Sequence, residues 1–201
     1  MKILIIDNIT KYIDKIPLLF TPEDKFTIVK FNEISPEVVD NNYDLIILTG
    51  GKPVRLGLHE KEKQRLNEVQ HEIIRNSKTP IIGICYGFRM INEAFDSKIE
   101  YEDRIIKGVK SIKLIGNFWK GIKETNIMCH EEHHFTCKRL SSDLVPLATS
   151  SRGIEIVKHK KKNIFGLQFH PEIDTETLYG DDVFKYIVNS IQKNKSINIT
   201  Q

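Results

Sequence analysis

The sequence lacks the features that mark secreted, membrane-embedded and disulfide-rich proteins. Its 201 residues include only three cysteines, which cannot all pair within one chain, so we expect reduced thiols. The first apolar run, residues 3–6, is too short for the core of a signal peptide, and no run is long enough to cross a membrane. We therefore expect a cytoplasmic protein without membrane contact.

An excess of charge of one sign is also absent. The sequence has 30 basic and 27 acidic residues, so its formal net charge of +3 is far from the concentrated positive surface of a nucleic-acid-binding protein. It also lacks the Gly-x-x-x-x-Gly-Lys loop that cradles nucleotide phosphates. These absences argue against a nucleic-acid partner and against nucleotide chemistry on this chain.

What is present indicates one α/β domain. With 40% apolar residues, the chain can bury one substantial core, which we assign to residues 1–192, with 193–201 as a polar C-terminal tail. Three short apolar runs end in polar or small residues, as buried parallel strands do: 2–6, 45–48 and 80–84. Between the last two, apolar residues near helical spacing at 59–76 predict a crossover helix.

The second half of the sequence predicts antiparallel strands and a final helix. Residues 105–115 alternate loosely, and two apolar runs at 154–157 and 164–169 flank a lysine-rich turn, which is typical of a β-hairpin. Apolar residues recur at helical intervals from Val183 to Ile191. The predicted fold class is therefore α/β, with a mostly parallel sheet and appended antiparallel strands.

Residues 80–91 contain the most informative motif. An apolar strand leads into Gly83-Ile84-Cys85-Tyr86-Gly87 and then into a helical pattern, which is the nucleophile-elbow pattern with sulfur in place of a hydroxyl. Because this turn is sharp, Gly83 and Gly87 must approach each other, and we expect strain at Cys85. Free N–H groups and the dipole at the helix start favour a thiolate and can hold an oxyanion. The alternative is a buried structural cysteine between two turn glycines.

A second motif supplies a candidate base. Residues 166–172 read Gly-Leu-Gln-Phe-His-Pro-Glu, so an apolar strand delivers His170 and, two residues later, Glu172. Residues i and i+2 of an extended chain face the same side, roughly 7 Å apart, so Glu172 can orient the His170 ring towards Cys85. Nucleophile, base and orienting group form the constellation of acyl-transfer enzymes. The alternative is a structural histidine at a strand end.

With these motifs, the chain resembles the class I (triad-type) glutamine amidotransferases, and Cys85, His170 and Glu172 fall on that family's catalytic triad. Within the family it looks most like the free-standing glutaminase subunit of GMP synthetase. Three segments are similar to landmarks of that subfamily: 128–130, 154–172 and 175–180. The resemblance implies a flavodoxin-like open sheet with the site at the carboxyl ends of its strands.

The resemblance also implies roles for residues around the triad. The backbone N–H groups of Gly51 and Tyr86 are expected to hold the oxyanion. Substrate contacts are expected from four further residues: Gly50, Gly87, Arg89 and His130.

Two positions depart from the family's pattern. The family usually reads Cys-x-Gly-His-Gln, whereas Phe88 and Arg89 follow Gly87 here, and the missing glutamine normally helps to hold the amino-acid end of the substrate. Arg89 can hold an α-carboxylate bidentately in its place, or it can point to solvent. Residues 129–132 read Cys-His-Glu-Glu where Ser-His-Gly-Asp is usual.

Residues 130–134 also match the zinc-protease signature His-Glu-x-x-His. That chemistry requires a helix with both histidines on one face. The preceding residues 126–129 predict a strand, and the following residues lack a helical apolar stripe. Three interpretations remain: a polar loop at the edge of the site, which we favour, incidental metal binding, and catalytic zinc. We expect no metal or organic cofactor.

The resemblance implies that the chain hydrolyses glutamine to glutamate and ammonia. The ammonia would pass to a separate ATP-dependent synthetase, an ATP pyrophosphatase subunit, in GMP synthesis. One alternative keeps the triad but changes the substrate to a γ-glutamyl peptide or conjugate. Another is a catalytically silent regulatory subunit.

Overall fold

The computed structural model of the protein describes residues 1–40, 42–173 and 178–199. Within these residues the chain forms one nine-stranded sheet and three α-helices. The strands are β1 (Lys2–Asp7), β2 (Lys25–Lys30), β3 (Leu45–Leu48), β4 (Ile81–Ile84), β5 (Lys98–Leu114), β6 (Asn126–Arg139), β7 (Leu144–Thr149), β8 (Ile154–His159) and β9 (Ile164–Leu167). The helices are α1 (Glu60–Asn76), α2 (Tyr86–Ala94) and α3 (Gly180–Ile199).

The strand order along the sheet is β2-β1-β3-β4-β9-β8-β7-β5-β6. The first five strands are parallel, and their chain order 2-1-3-4-5 is that of flavodoxin-like sheets. The other four extend the sheet through antiparallel pairs. The predicted fold class, an α/β sheet with appended antiparallel strands, is confirmed.

The apolar runs form the centre of the sheet. Every residue of β3 and β4 is buried, because helices cover both faces of the parallel strands. The edge strand β2 was not predicted. Only two of its six residues are even partly buried, so no continuous apolar run marks it in the sequence.

The helices divide between the two faces of the sheet. Helices α1 and α2 pack on one face, where Leu66, Ile74 and Phe88 join the apolar core, and α1 is the predicted crossover helix. Helix α3 packs on the other face through its buried apolar stripe, including Val183 and Ile187. None of the helices in the described ranges is both long and apolar enough to span a bilayer.

The predicted hairpin is confirmed as β8 and β9, and the alternating segment at 105–115 belongs to the longer β5. The His-Glu-x-x-His segment lies within β6, so the expectation of a polar loop is wrong: these residues pair with β5 throughout. Helix α3 continues to Ile199, into the segment assigned to a polar tail. Residues 175–177 of the landmark at 175–180, and residues 200–201 of the tail, lie outside the described residues.

Candidate active site

Cys85 occupies the turn between β4 and α2 in a backbone conformation that side chains rarely adopt. Its φ of 49° and ψ of −92° cost about 1–3 kcal/mol for a residue other than glycine. A methyl group on Gly83 would lie 2.5 Å from the carbonyl of Gly87, and one on Gly87 would collide with the Leu48 carbonyl oxygen. The expected strain and the expected crowding of the two glycines are confirmed.

The register between β4 and β9 brings the histidine motif to the cysteine. Ile84 pairs with Leu167, and the Cys85 N–H donates to the Leu167 carbonyl at 2.8 Å. Three residues beyond Leu167, His170 is buried, and its imidazole interacts with the Cys85 side chain as a hydrogen-bond partner. Two motifs that are far apart along the chain therefore meet at the carboxyl ends of adjacent parallel strands.

The Glu172 carboxylate orients the His170 ring. Its Oε1 is 2.7 Å from Nδ1 of His170, and both side chains are at least 95% buried. This contact leaves Nε2 as the ring nitrogen available to the Cys85 sulfur. Tyr12 supports the other side of the ring edge-on, with 5.6 Å between the ring centroids.

The charge environment favours an imidazolium at His170. Burial by itself lowers the pKa of this histidine, but the neighbouring Cys85 sulfur and Glu172 carboxylate outweigh it and raise the pKa well above the usual 6.5. An imidazolium beside a cysteine is the arrangement that stabilises a thiolate nucleophile.

Gly51 and Tyr86 present backbone N–H groups beside the cysteine. Both residues line the same cavity as Cys85, and within the described chain neither N–H donates to a backbone carbonyl. Gly51 has a φ of 150°, and an added methyl group would collide with the carbonyl oxygen of Asn8. Close approach of the β1 and β3 loops therefore requires glycine at position 51.

A cavity of about 660 Å³ opens at Cys85. Its walls come from the loop after β3, from α1 and α2, and from β5 and β6, with lining residues that include Gly51, Tyr86, Arg89, Ile105, Phe135 and Gln168. Volumes in this range accommodate small-molecule ligands. The cavity is the candidate substrate pocket.

Arg89 lines this cavity and does not simply point to solvent. Its Nε is 2.6 Å from Oε1 of Glu93, and its guanidinium carbon lies 4.0 Å from the centroid of the Phe135 ring. A guanidinium held in this way still presents its remaining N–H donors. A role in binding the substrate carboxylate stays a prediction.

The other three expected substrate contacts have different surroundings. A methyl group on Gly50 would lie 2.8 Å from Cε1 of His170 and 3.4 Å from Cβ of Cys85, so this glycine separates the two side chains. Gly87 packs against β3. His130 contacts the site through its carbonyl oxygen, which accepts from the His170 N–H at 2.8 Å. None of the three is among the described residues that line the cavity, and their roles stay predictions.

Sequence analysis missed the part played by Glu132. Its carbonyl oxygen lies 3.6 Å from the Cys85 sulfur, and its carboxylate binds the Lys11 amine at 2.9 Å and the Tyr12 hydroxyl at 3.2 Å. Burial alone raises the pKa of Glu132, but Lys11 outweighs it and holds that pKa below its usual value. Lys11 and Tyr12 lie in an irregular segment after β1, where no motif marks them.

The zinc-protease geometry is absent from residues 130–134. In a strand, alternate residues face opposite sides, so His130 and His133 cannot share a face as the two histidines of a helical motif do. Catalytic zinc of the protease type is therefore excluded here, as the strand prediction required. Glu131 and His133 instead share the buried face of β6.

Comparisons with known proteins agree with this arrangement. A family model of class-I glutamine amidotransferases matches residues 4–188. The glutamine-hydrolysing subunit of the GMP synthase of Thermoplasma volcanium is 27% identical over 198 residues, which cover 97% of this chain and 94% of that protein. The glutamine-hydrolysing GMP synthase of Prochlorococcus marinus is 29% identical over 199 residues, which cover 96% of this chain but 36% of that protein.

A solved structure has the same fold along nearly the whole chain. It is a Thermoplasma acidophilum protein proposed to be a GMP synthase subunit, with a TM-score of 0.81 and 24% identity, covering 98% of this chain and 97% of that one. The span matched by the family model runs from β1 into α3 and includes both motifs of the candidate site. The chain therefore belongs to the class-I glutamine amidotransferases and is an enzyme of that family.

Proposed function

We propose that this enzyme hydrolyses glutamine with Cys85 as nucleophile, His170 as base and Glu172 as the group that orients the base. One observation carries the proposal: the strained sulfur of Cys85 meets an imidazole that Glu172 holds at 2.7 Å, at the mouth of a substrate-sized cavity. A buried structural cysteine would need neither the partner histidine nor the cavity.

In the first half of the reaction, the Cys85 thiolate attacks the side-chain carboxamide carbon of glutamine. The N–H groups of Gly51 and Tyr86 stabilise the oxyanion of the tetrahedral intermediate, and losing one such donor costs about 10²- to 10³-fold in rate. The imidazolium of His170 gives its proton to the departing nitrogen, and ammonia leaves. A glutamyl thioester on Cys85 remains.

In the second half, the now neutral His170 takes a proton from a water molecule, which attacks the thioester carbon. The tetrahedral intermediate collapses, glutamate is released, and the sulfur and imidazolium are restored. Glu172 stays ionised throughout, because its part is to hold the ring and stabilise the charged imidazole. The chain needs no organic cofactor for these steps.

We further propose that the ammonia passes to an ATP-dependent synthetase subunit in GMP synthesis. Relatives named as separate glutamine-hydrolysing subunits of GMP synthase match over most of their length, whereas single-chain GMP synthases extend far beyond the matched part. This pattern supports a partner chain that supplies the remaining part of the reaction. ATP chemistry belongs to that partner, since this sequence lacks a phosphate-binding loop.

A glutaminase assay with and without a GMP-synthetase ATP pyrophosphatase subunit tests the proposal. Wild type should release glutamate and ammonia, with higher turnover when the partner is present, and Cys85→Ala should release none. Cys137→Ser is the matched control, because Cys137 is buried in β6 and lies outside the cavity lining. Equal turnover by wild type and Cys85→Ala would contradict the proposed nucleophile.

One observation favours a second candidate, a γ-glutamyl peptide or conjugate hydrolase with the same triad. The Arg89 guanidinium already pairs with Glu93, and the cavity extends past it to the apolar side chains of Ile105 and Phe135. A substrate with a larger leaving group could use that surface. Higher kcat/KM for a γ-glutamyl anilide or dipeptide than for glutamine would favour this candidate.

A catalytically silent regulatory subunit is the remaining alternative. Stoichiometric labelling of Cys85 by a glutamine-analogue electrophile, lost in His170→Ala, would exclude it. A folded wild-type protein that resists such labelling under these conditions would support it.

A further inference from the structure

A second polar cluster lies in the interior, away from the cysteine. Glu131 and His133 alternate with residues of the site side of β6 and face inward, where they meet Glu155 of β8. The exposed fractions of the three residues are 1%, 6% and 2%. Glutamates and histidines are rarely buried to this degree without charge partners.

Most polar atoms in this cluster have no hydrogen-bond partner. Both carboxylate oxygens of Glu131, both ring nitrogens of His133 and Oε2 of Glu155 are buried and unpartnered. The remaining oxygen, Oε1 of Glu155, accepts from the Ser150 hydroxyl at 2.5 Å. Buried polar atoms are nearly always satisfied in folded proteins, so this concentration of unsatisfied atoms in one place indicates a missing ligand.

The spacing fits one metal ion. Each of the three side chains offers a ligand atom within 4.8 Å of the other two. Nε2 of His133 and Oε2 of Glu131 are 3.4 Å apart, which is about the edge of a tetrahedron of ligands roughly 2.1 Å from a central ion. The same two atoms do not form a hydrogen bond.

The charge of the cluster also calls for a cation. Among the described residues, Glu131 has no ion-pair partner other than His133, and Glu155 has none. Burial, together with the neighbouring Glu131, raises the pKa of Glu155 to about 8. Without a cation, this carboxyl group must therefore hold a proton near neutral pH.

We propose that Glu131, His133 and Glu155 bind one zinc ion that joins β6 to β8. Histidine nitrogen and carboxylate oxygen are ordinary zinc ligands, and a dication compensates two buried carboxylates in a way that a single proton does not. The ligands come from a strand, at positions i and i+2, and from a second strand. The site is therefore unrelated to the helical His-Glu-x-x-His motif that overlaps it in the sequence.

The proposed zinc site is distinct from the proposed glutaminase chemistry and does not rest on it. The other side of the same β6 segment contacts the catalytic residues: the His130 carbonyl binds the His170 N–H, and the Glu132 carbonyl lies beside the Cys85 sulfur. Zinc would hold this segment of β6 in place from behind.

Metal binding can be measured directly on the chelator-stripped chain. We expect one equivalent of zinc per chain after incubation with zinc chloride and desalting, and a rise in Tm of about 5–10 °C at free zinc a hundredfold above Kd. Cobalt chloride should give visible absorption bands with the same stoichiometry. No uptake of zinc or cobalt by the stripped, folded wild type would overturn the proposal.

Variants locate the ion. Glu155→Gln and His133→Asn should each weaken zinc binding at least tenfold, whereas His134→Gln should leave it unchanged, because that neighbouring ring faces away and stacks on Tyr101. Glu155→Gln keeps the shape of a protonated carboxyl, so its zinc-free Tm should equal or exceed that of wild type. If Glu155→Gln folds and binds zinc as tightly as wild type, the ion lies elsewhere and the proposal fails.

Discussion

Gly50 lies so close to His170 that a methyl group in its place would be 2.8 Å from Cε1 of the ring. The same methyl group would be 3.4 Å from Cβ of Cys85, so the residue acts as a spacer between nucleophile and base. The backbone of Gly50 needs no glycine conformation, since its φ is not positive. Only the space between two functional side chains excludes a larger residue here.

Gly50→Ala is therefore expected to damage activity more than folding. The ring of His170 would shift from the sulfur, and we predict a fall in kcat of about 10²-fold or more with a loss in stability of about 1–2 kcal/mol. Gly87→Ala is the contrasting variant, because its methyl group meets the Leu48 backbone, which cannot rotate away. Urea unfolding and glutaminase assays should show the larger stability loss in Gly87→Ala; the reverse order would contradict this assignment.

Replacing Cys85 by glycine is predicted to stabilise the fold while abolishing activity. The φ of 49° at Cys85 is strained for any side chain. Cys85→Ala keeps this strain, whereas Cys85→Gly removes it, so the glycine variant should be more stable by about 1 kcal/mol. Glycine is usually the less stable of the two, so urea midpoints that favour alanine would show that the turn carries no strain.

The charge state of His170 can be followed by NMR titration of its ring nitrogens. We expect a pKa well above 6.5 in the wild type, because the Cys85 sulfur and the Glu172 carboxylate outweigh the effect of burial. Removing either group, in Cys85→Ala or Glu172→Gln, should lower this pKa, and the ring should become neutral at a lower pH than in wild type. Cys137→Ser provides the unshifted control, and an unchanged pKa in Cys85→Ala would mean that sulfur and imidazole do not interact.

Arg89→Lys tests the proposed contact with the substrate carboxylate. Lysine keeps the charge but loses the planar fork that can hold Glu93 and a carboxylate together. We expect KM for glutamine to rise about tenfold with kcat nearly unchanged, which is the sign of lost binding rather than lost chemistry. Arg104→Lys, at an exposed position of β5, is the matched control. A fall in kcat at constant KM would assign Arg89 to the chemical step instead.

Local pattern was enough to predict the elements that build the centre of the molecule. The runs at β3 and β4 consist of buried residues throughout, and the glycines on either side of Cys85 predict the strained turn that is found there. The edge strand β2 was missed because an edge strand is only partly buried and carries a weak apolar signal. Similarly, the polar residues of β6 concealed a strand whose partner β5 covers it along its length.

The sequence by itself determined the chemistry available to this protein, because an elbow cysteine and a His-Pro-Glu segment are local patterns set by turn geometry and side-chain type. Only the tertiary structure decided their meeting, through the pairing of Ile84 with Leu167 in adjacent parallel strands. The buried cluster of Glu131, His133 and Glu155 is likewise a product of packing. Contacts of this kind depend on which strands become neighbours, and no periodicity along the chain records that choice.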